Sequence, residues 1–341
     1  RVVGQVRISQ EDAVRLKTFP SLFGDSEREA EVYDYVADFR RQLKARLLVH
    51  QVVTQLVRES TLHEPGLAEG TSGAARRKVE DSATLAWKLG TAAYYKSGGR
   101  PWQLAAVRPG VCYVGLVFKA QPTRADSRWA CCAAQMFMSN GEGVVFRGAL
   151  GPWKNEESGD FHLNTSAAQQ LIRTVVEEYS LREGAPPQEL FVHAKAACSD
   201  EEWEGFRAAV DGRSTHVVAV QIYDSRHGLK LFRRGAYPTI RGTALITGMR
   251  DAFLFASGYI PRLDTYLGPG TPNPLAISVR RGDAPIGTVL QDVLSLTKLN
   301  FNTCMYGDKV PVTIRFADAI GDVLAAAPQE AEPRLPFKFY I

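Results

Sequence analysis

The spacing of hydrophobic residues in the first third of the chain alternates between helical and extended patterns. Residues 28–49 place apolar side chains at intervals of three and four, which predicts an amphipathic helix. The next stretch, HQVVTQLV, bunches apolar and β-branched residues and therefore predicts a short strand. The elements predicted after it are a loop over 64–80 and a second helix that Asp81 or Ser82 caps and Gly98-Gly99 ends. This alternation predicts a small α/β layer.

Beyond about residue 106 the apolar runs become longer and are typical of strands within one buried sheet. A helix with Ser199 or Asp200 as its cap interrupts them. The predicted strands are 111–120, 127–138, 143–150, 189–196, 215–225, 274–283 and 311–316, and the predicted helices are 165–184, 199–212, 284–300 and 317–327. The pattern thus predicts a mixed α/β chain with a domain boundary near 103–110.

Composition narrows the class of protein. The 341 residues are 45% hydrophobic and 23% charged, which is ordinary for a globular protein of about two domains. No apolar run approaches the roughly 18 residues that cross a bilayer, and the start lacks the apolar segment of a signal peptide. The five cysteines are odd in number and show no CxxC spacing, which argues against a disulfide framework or a zinc site. We therefore expect a reducing, cytoplasmic setting.

The net charge of +4 is only mildly basic, but the basic residues are clustered. The clusters are RRQLKAR, AARRK, FRRG and VRRG. Each one alone is typical of a solvated face, whereas together they could follow the phosphates of a nucleic acid.

Four polar residues of the first domain are candidates for ligand binding. Arg40 and Lys44 are four residues apart and share one helix face, Gln55 follows the VVT run, and Lys96 ends the second helix before SGG. Each also has an ordinary explanation. A lysine is favourable at a helix C-terminus for electrostatic reasons, Arg40 and Lys44 could face solvent, and Gln55 could be a turn residue. The sequence shows no Walker loop, GxGxxG or GxSxG motif.

In this order, Arg40xxxLys44, Thr54-Gln55 and Lys96-Ser-Gly-Gly resemble the 5′-phosphate pocket of the MID domain of Argonaute proteins. The resemblance implies that Lys44, Gln55 and Lys96 bind the terminal phosphate of a guide, through charge-assisted hydrogen bonds. It also implies that the guanidinium plane of Arg40 stacks on the first base.

The second half resembles the PIWI domain of the same family. YVGLVFK is similar to its first strand, LFVHAKA to the strand with its His-Arg-Asp motif, and LTKLNFNTC…VPVTIRFAD to its C-terminal helix. The chain as a whole resembles a prokaryotic short Argonaute. The resemblance implies a Rossmann-like MID domain over 1–105, followed by an RNase H-like PIWI domain over 106–341.

The residues at the positions of the PIWI carboxylates imply that catalysis is lost. Val117 and Lys195 stand where the resemblance places two metal-binding aspartates, and only Asp318 matches its position. Glu142 could be the mobile glutamate, but it is more typical of a turn. So few carboxylates cannot hold two Mg²⁺ ions, and Lys195 would repel them. The alternative is an active RNase H-type endonuclease that cleaves the target strand with another set of carboxylates.

The resemblance implies a function in recognition. Short Argonautes with an inactive PIWI domain hold a 5′-phosphorylated guide RNA and recognise complementary single-stranded DNA of a plasmid or phage. They then activate a partner that carries an APAZ region and a sirtuin-type, TIR or nuclease effector. A third hypothesis is a scaffold with a vestigial pocket.

The last residues, RLPFKFYI, are too apolar to be left exposed at a terminus. The resemblance implies that Leu335, Phe337, Phe339 and Tyr340 plug the interface between the two domains. It also implies that the carboxylate of Ile341 binds a structural Mg²⁺ together with Gln55 and phosphate oxygens. The other explanation is a hydrophobic strand that only completes the core.

Overall fold

The computed structural model describes residues 39–57, 81–104, 108–120, 130–138, 143–150, 153–155, 159–225, 229–235, 237–266, 268, 270–301, 308–326 and 335–341. The α-helices in these ranges are α1 (Phe39–Leu48), α2 (Ser82–Lys96), α3 (Thr165–Glu183), α4 (Asp200–Ala209), α5 (Ile286–Leu296) and α6 (Val312–Ala326). The strands are β1 (Val111–Ala120), β2 (Ala130–Met138), β3 (Gly143–Leu150), β4 (Trp153–Lys154), β5 (Phe161–His162), β6 (Glu189–Ala194), β7 (His216–Asp224), β8 (Ala244–Ile246), β9 (Asp251–Leu254) and β10 (Leu275–Arg281). Short 3₁₀ helices cover Pro261–Leu263 and Phe337–Phe339.

The second half is built on one eight-stranded mixed sheet with the order β3-β2-β1-β6-β7-β10-β9-β8. Strands β1, β6 and β7 are parallel, and the remaining neighbours are antiparallel. An antiparallel meander that continues into parallel strands through helical crossovers is the arrangement of RNase H-like folds. The predicted mixed α/β class is confirmed.

Each face of the sheet carries its own hydrophobic core. One face, with Tyr113, Phe137 and Phe191, is covered by α5 and α6. The other face, with Val114 and Leu190, is covered by α3 and α4. Burial on both faces explains why the central strands read as continuous apolar runs.

Helix starts follow the predicted caps. The Asp81 carboxylate accepts a hydrogen bond from Thr84 N at 2.9 Å, and α2 begins at the next residue after Asp81. Ser199 and Glu202 form a reciprocal capping box at the start of α4. At the end of α2, Gly98 has a φ of 103°, a conformation that favours glycine.

The predicted strand over 311–316 is wrong, because these residues open α6. Val312, Ile314 and Phe316 alternate, but the longer window continues with buried residues at Ile320 and Val323, which is helical spacing. The helix packs tightly on β1. A Cβ atom on Gly115 would lie 1.9 Å from the Thr313 carbonyl oxygen, so only glycine permits this approach.

The predicted strand over 50–57 is also wrong. These residues have no strand partner among the described residues, and Gln51 has a φ of 51°. The part of 1–105 that is described, 39–57 and 81–104, contains α1 and α2 but no strand, and the predicted loop over 64–80 lies outside it. The domain limits at 105 and 106 stay a prediction.

The first part of the chain packs directly on the second. Arg41 of α1 forms an ion pair with Asp322 of α6 at 3.5 Å. The Tyr95 and Phe301 rings lie 5.0 Å apart, and Trp102 Nε1 donates to the Lys298 carbonyl oxygen at 2.7 Å. In the described part of the chain, no helix has the length and hydropathy required to cross a bilayer.

Candidate functional site

Two buried lysines converge on the main chain of Thr54. Lys44 comes from α1 and Lys96 from the end of α2, and their exposed fractions are only 3% and 9%. Lys96 Nζ donates to the Thr54 carbonyl oxygen at 2.7 Å, and Lys44 Nζ donates to the same oxygen at 3.3 Å. Lys44 Nζ also lies 3.4 Å from Thr54 Oγ1. The segment after α1 is therefore held by two ammonium groups.

The surroundings of Lys44 and Lys96 disfavour the charged form of both side chains. Burial, followed by repulsion from Lys96 and then from Arg40, lowers the pKa of Lys44 to about 7. Burial and repulsion from Arg40 lower the pKa of Lys96 to about 8. Among the described residues, no carboxylate side chain contacts either ammonium group. The cluster is thus suited to a ligand with negative charge.

The C-terminal segment completes the site. Lys44 Nζ donates to the main-chain oxygen of Ile341 at 2.8 Å, and Ile341 is 3% exposed. Upstream, Val145 N donates to the Leu335 carbonyl oxygen at 3.1 Å, which joins the segment to β3. The Phe337 ring lies 4.5 Å from that of Phe137, within the core.

The predicted burial of this segment is confirmed for Leu335, Phe337 and Tyr340, while Phe339 is half-buried. It docks through an isolated bridge between Pro336 and Val144 and a 3₁₀ turn, and does not form a strand. A residue that the sequence reasoning missed is Lys338. Its ammonium group lies beside Gly98, 3.6 Å from where a Cβ atom would be, and so adds a cation at the end of α2.

Gln55 follows Thr54 but is exposed. The only hydrogen bond of its side chain in the described part of the chain is from Nε2 to the Leu56 carbonyl oxygen at 3.5 Å. Its amide oxygen, Thr54 Oγ1 and the Ile341 oxygen are donors of the type that Mg²⁺ prefers. However, Lys44 already binds the oxygens of Thr54 and Ile341. These residues therefore fit a magnesium ion only together with an anion that compensates the ammonium charge.

Arg40 lies one helical turn before Lys44 and is exposed. It is close enough to both lysines to depress their pKa values. Its predicted role in base stacking stays a prediction.

Of the residues at the predicted catalytic positions, Val117 lies within β1 and Lys195 directly follows the last residue of β6. These strands pair in parallel, with Leu116 opposite Ala194, so Val117 and Lys195 are the next residues on neighbouring strands. Val117 is buried and Lys195 is exposed. Asp318 lies within α6, and Glu142 is outside the described residues.

His193 is a packed histidine of β6. Its Nδ1 lies 2.9 Å from the Thr313 hydroxyl, and burial lowers its pKa to about 3. A histidine with so low a pKa is neutral at physiological pH and has no exposed face to offer a substrate.

Solved structures with a similar fold are Argonautes. Clostridium butyricum Argonaute, in a complex with a guide DNA and a 19-mer target DNA, matches with a TM-score of 0.65 and 18% identity over 87% of this chain. Aquifex aeolicus Argonaute matches with a TM-score of 0.57 and 16% identity over 88%. Marinitoga piezophila Argonaute, in a complex with a 5′ OH guide RNA, matches with a TM-score of 0.51 and 13% identity over 73%.

This chain covers 37%, 38% and 35% of those three proteins. No protein-family model matches the sequence, and no curated protein matches it. The similarity to these solved structures shows that the chain has an Argonaute-like MID–PIWI fold.

Proposed function

We propose that this Argonaute-like chain binds the 5′-phosphate of a guide RNA with Lys44 and Lys96, assisted by Arg40 and Gln55. The observation that carries the proposal is the convergence of two buried ammonium groups on the carbonyl oxygen of Thr54. Burying like charges together costs free energy, and a ligand that carries about two negative charges offsets this cost.

A phosphate is favoured over a 5′ hydroxyl group. A neutral hydroxyl would leave the repulsion between Lys44, Lys96 and Arg40 in place. A phosphate restores the charged form of both lysines through charge-assisted hydrogen bonds. The matched structures hold a guide DNA in one complex and a 5′ OH guide RNA in another, so guide chemistry must be measured for this chain.

A structural Mg²⁺ is part of the proposal. The Ile341 main-chain oxygen and the Gln55 amide would hold it next to the phosphate, which supplies the charge that allows a dication so near Lys44. The ion would neutralise the phosphate and fix its orientation.

We further propose that the chain recognises a target without cleaving it. Val117 within β1 and Lys195 directly after β6 provide no carboxylate, and two neighbouring metal ions need several. Recognition then depends on pairing between the guide RNA and complementary single-stranded DNA from an invading plasmid or phage. An associated APAZ protein with a sirtuin-type, TIR or nuclease effector would supply the toxic activity.

Binding of matched RNAs tests the guide pocket. One fluorescent RNA is made with a 5′-phosphate and with a 5′ hydroxyl, and the ratio of the two dissociation constants is measured with and without Mg²⁺. We expect the phosphate to improve binding by about tenfold or more, which corresponds to about 1.4 kcal/mol. Lys44→Met and Lys96→Met should each bring the ratio towards one, whereas Lys230→Met, a change at an exposed lysine that contacts Asn273, should leave it unchanged.

A ratio near one in the unchanged protein would reject the pocket. Cleavage is tested by incubation with guide RNA, labelled complementary DNA and Mn²⁺. Cleavage that disappears in Asp318→Ala would instead establish the alternative function, a guided endonuclease.

A further inference from the structure

The second half of β7 lies beyond the hydrophobic core that α3 and α4 cover. Among the described residues, that core includes Val217 near the start of β7 but no later residue of β7 and none of β10. Gln221 and Tyr223 point to the same face of the sheet as Val217, because side chains two residues apart on a strand share a face. Tyr223 is 45% exposed. An exposed aromatic ring on a sheet face is suited to stacking on an unpaired base.

A β-bulge in β10 brings an arginine to this face. The pairing of β10 with β7 shifts register between Val279 and Arg281, so Arg280 is the extra residue of the bulge. Arg280 Nε donates to Gln221 Oε1 at 2.8 Å, which places the guanidinium on the face that carries Tyr223. Bulges redirect side chains and are frequent beside functional sites.

Gln221 links this arginine to the end of a neighbouring strand. Its Nε2 donates to the carbonyl oxygen of Lys195, directly after β6, at 2.9 Å. Among the described residues, Gln221 is the one hydrogen-bond partner of the Arg280 side chain, and Arg280 is exposed. Because Gln221 binds the Nε, the two terminal nitrogens of the guanidinium remain as donors. Two parallel N–H groups of this kind suit the oxygens of a phosphate.

Two arginines at the bulge have neutral partners in the described part of the chain. Arg280 is bound by the amide of Gln221, and Arg250 Nη1 donates to the Val279 carbonyl oxygen at 3.4 Å. An amide or carbonyl oxygen accepts the hydrogen bond but leaves the charge of the guanidinium in place. The bulge therefore carries positive charge that an anion would complement.

The carboxylates close to the bulge bind other groups. Asp200 forms an ion pair with Arg281, and Asp251 accepts a hydrogen bond from the Ser278 hydroxyl at 2.6 Å. An acidic peptide would also complement the charge of the bulge. A nucleic acid complements the Tyr223 ring as well, because it carries an aromatic base beside each phosphate.

We propose that the β10 bulge and the adjacent face of β7 bind a single-stranded nucleic acid. Arg280 binds a backbone phosphate, and Tyr223 stacks on a neighbouring base. Gln221 is a positioning residue that fixes the guanidinium of Arg280. Guide RNA and target DNA both provide phosphates and bases, so the experiments below distinguish the two strands. The site goes beyond the guide pocket, because it uses neither a 5′-phosphate nor the buried lysines.

Single-stranded DNA with a 5′ hydroxyl group tests the site without the guide pocket. One probe is a labelled oligothymidylate of about ten nucleotides, a length typical of single-strand binding sites. A matched probe has the same phosphates but lacks the internal bases. We expect saturable binding of the first probe by fluorescence anisotropy, and binding weaker by about tenfold for the second.

Substitutions separate the stacking contact from the phosphate contact. Tyr223→Ala should weaken the thymidylate probe by about tenfold and leave the probe without bases unchanged, whereas Tyr223→Phe should retain stacking. Arg280→Gln should weaken both probes and reduce the slope of log K against log salt by about 0.7, as expected for one phosphate contact. The control is Arg213→Gln, a change at an exposed arginine before the start of β7, which should have no effect.

A double-mutant cycle tests the role of Gln221. Gln221→Leu should weaken both probes in the unchanged protein and add no further loss in Arg280→Gln, because it acts only through that arginine. An equal loss in both backgrounds would show that Gln221 does not position Arg280.

The proposal is overturned if the unchanged protein shows no saturable binding, if both probes bind equally, or if binding survives both Tyr223→Ala and Arg280→Gln. Polyglutamate that binds more tightly than the thymidylate probe, with the same dependence on Arg280 and Tyr223, would replace the nucleic acid with an acidic protein segment.

Two further measurements identify the strand and keep the two sites distinct. In protein loaded with guide RNA, a loss of target DNA binding in Arg280→Gln without a loss of guide binding assigns the site to the target, and the reverse assigns it to the guide. Lys44→Met should leave binding of the 5′ hydroxyl probes unchanged, and Arg280→Gln should leave the ratio for 5′-phosphate and 5′ hydroxyl RNA unchanged. Failure of one site is therefore distinct from failure of the other.

Discussion

Lys44 Nζ lies 2.8 Å from the main-chain oxygen of Ile341, although the two residues are 297 positions apart in the sequence. This bond joins the first described helix to the last described residue. It places the end of the segment over 335–341 in the same cluster as Lys96 and Thr54. Changes to the cluster and to this segment should therefore affect each other.

Replacement of a buried lysine should separate stability from binding. Lys44→Met retains most of the side-chain volume and removes a charge that is buried beside two other cations. We expect the ligand-free protein to gain about 1 kcal/mol in the free energy of unfolding, since the change removes a buried charge that two neighbouring cations repel. Chemical denaturation measures this, and a loss of more than about 1 kcal/mol would contradict it.

The free energy of unfolding of the ligand-free protein should depend on pH because of the lowered pKa values of Lys44 and Lys96. Their pKa values in the folded protein, about 7 for Lys44 and about 8 for Lys96, lie below the ordinary value of 10.5. Between these values the unfolded chain binds more protons than the folded one, so the free energy of unfolding from this source rises with pH. The destabilisation is fully present below about pH 7. Denaturation of the ligand-free protein at pH 7 and pH 9 should show the rise, and Lys44→Met should reduce it.

Binding of a 5′-phosphate should be coupled to proton uptake. A phosphate favours the charged form of Lys44 and Lys96, which are partly neutral near pH 8 because of their lowered pKa values. Calorimetry in buffers of different ionisation enthalpy measures the uptake. Uptake should be positive near pH 8 with 5′-phosphorylated RNA and absent with the 5′ hydroxyl RNA. Equal uptake for both RNAs would place the titrating groups elsewhere.

Extension beyond Ile341 should separate the two roles of the C-terminal segment. Two residues added after Ile341 leave the side chains of Leu335 and Phe337 in place, but they change the position of the Ile341 oxygen that Lys44 contacts. We expect unchanged thermal stability and weaker binding of 5′-phosphorylated RNA in Mg²⁺. If affinity is unchanged, the segment only completes the core.

Two phenylalanines of the same turn provide a matched pair. Phe337 packs against Phe137 and Phe316, and the ring approaches Gly143 so closely that a Cβ atom there would lie 1.9 Å away. Phe337→Ala should cost about 3–5 kcal/mol because it leaves a cavity. Phe339 is half-buried, and Phe339→Ala should cost about 1–2 kcal/mol. Equal losses in denaturation would show that the segment is not anchored through Phe337.

Local signals predicted several helix starts and strands correctly. Asp81 and Ser199 were each one of two predicted candidates for a cap, because a side-chain oxygen must satisfy free N–H groups at a helix start, and the structure shows that they are the caps. The apolar runs of β1 and β6 could be predicted because burial on both faces favours apolar residues at most positions. The hairpin of β8 and β9 was missed, although ALI and AFL flank a short turn.

Predictions from a few residues were wrong where the same residues fit both a strand and another conformation. At the start of α6, apolar residues alternate with polar ones as they would in a strand. Only tertiary contacts, such as that of Gly115 with Thr313, show that these residues form a helix. Residues 50–57 have the composition of a strand but lack a partner among the described residues, and a strand needs a partner for its hydrogen bonds.

The sequence by itself determined the α/β class and the burial of most of the last residues, because composition and spacing act locally. The candidates Arg40, Lys44, Gln55 and Lys96 came from the resemblance to the Argonaute MID pocket. The tertiary structure alone decided that Lys44 and Lys96 share the oxygen of Thr54, that Gln55 stays exposed, and that Ile341 reaches Lys44. Packing of α1 and α2 against the sheet domain sets these distances. The residues in these contacts are 10, 42 and 297 positions apart, and no local pattern encodes them.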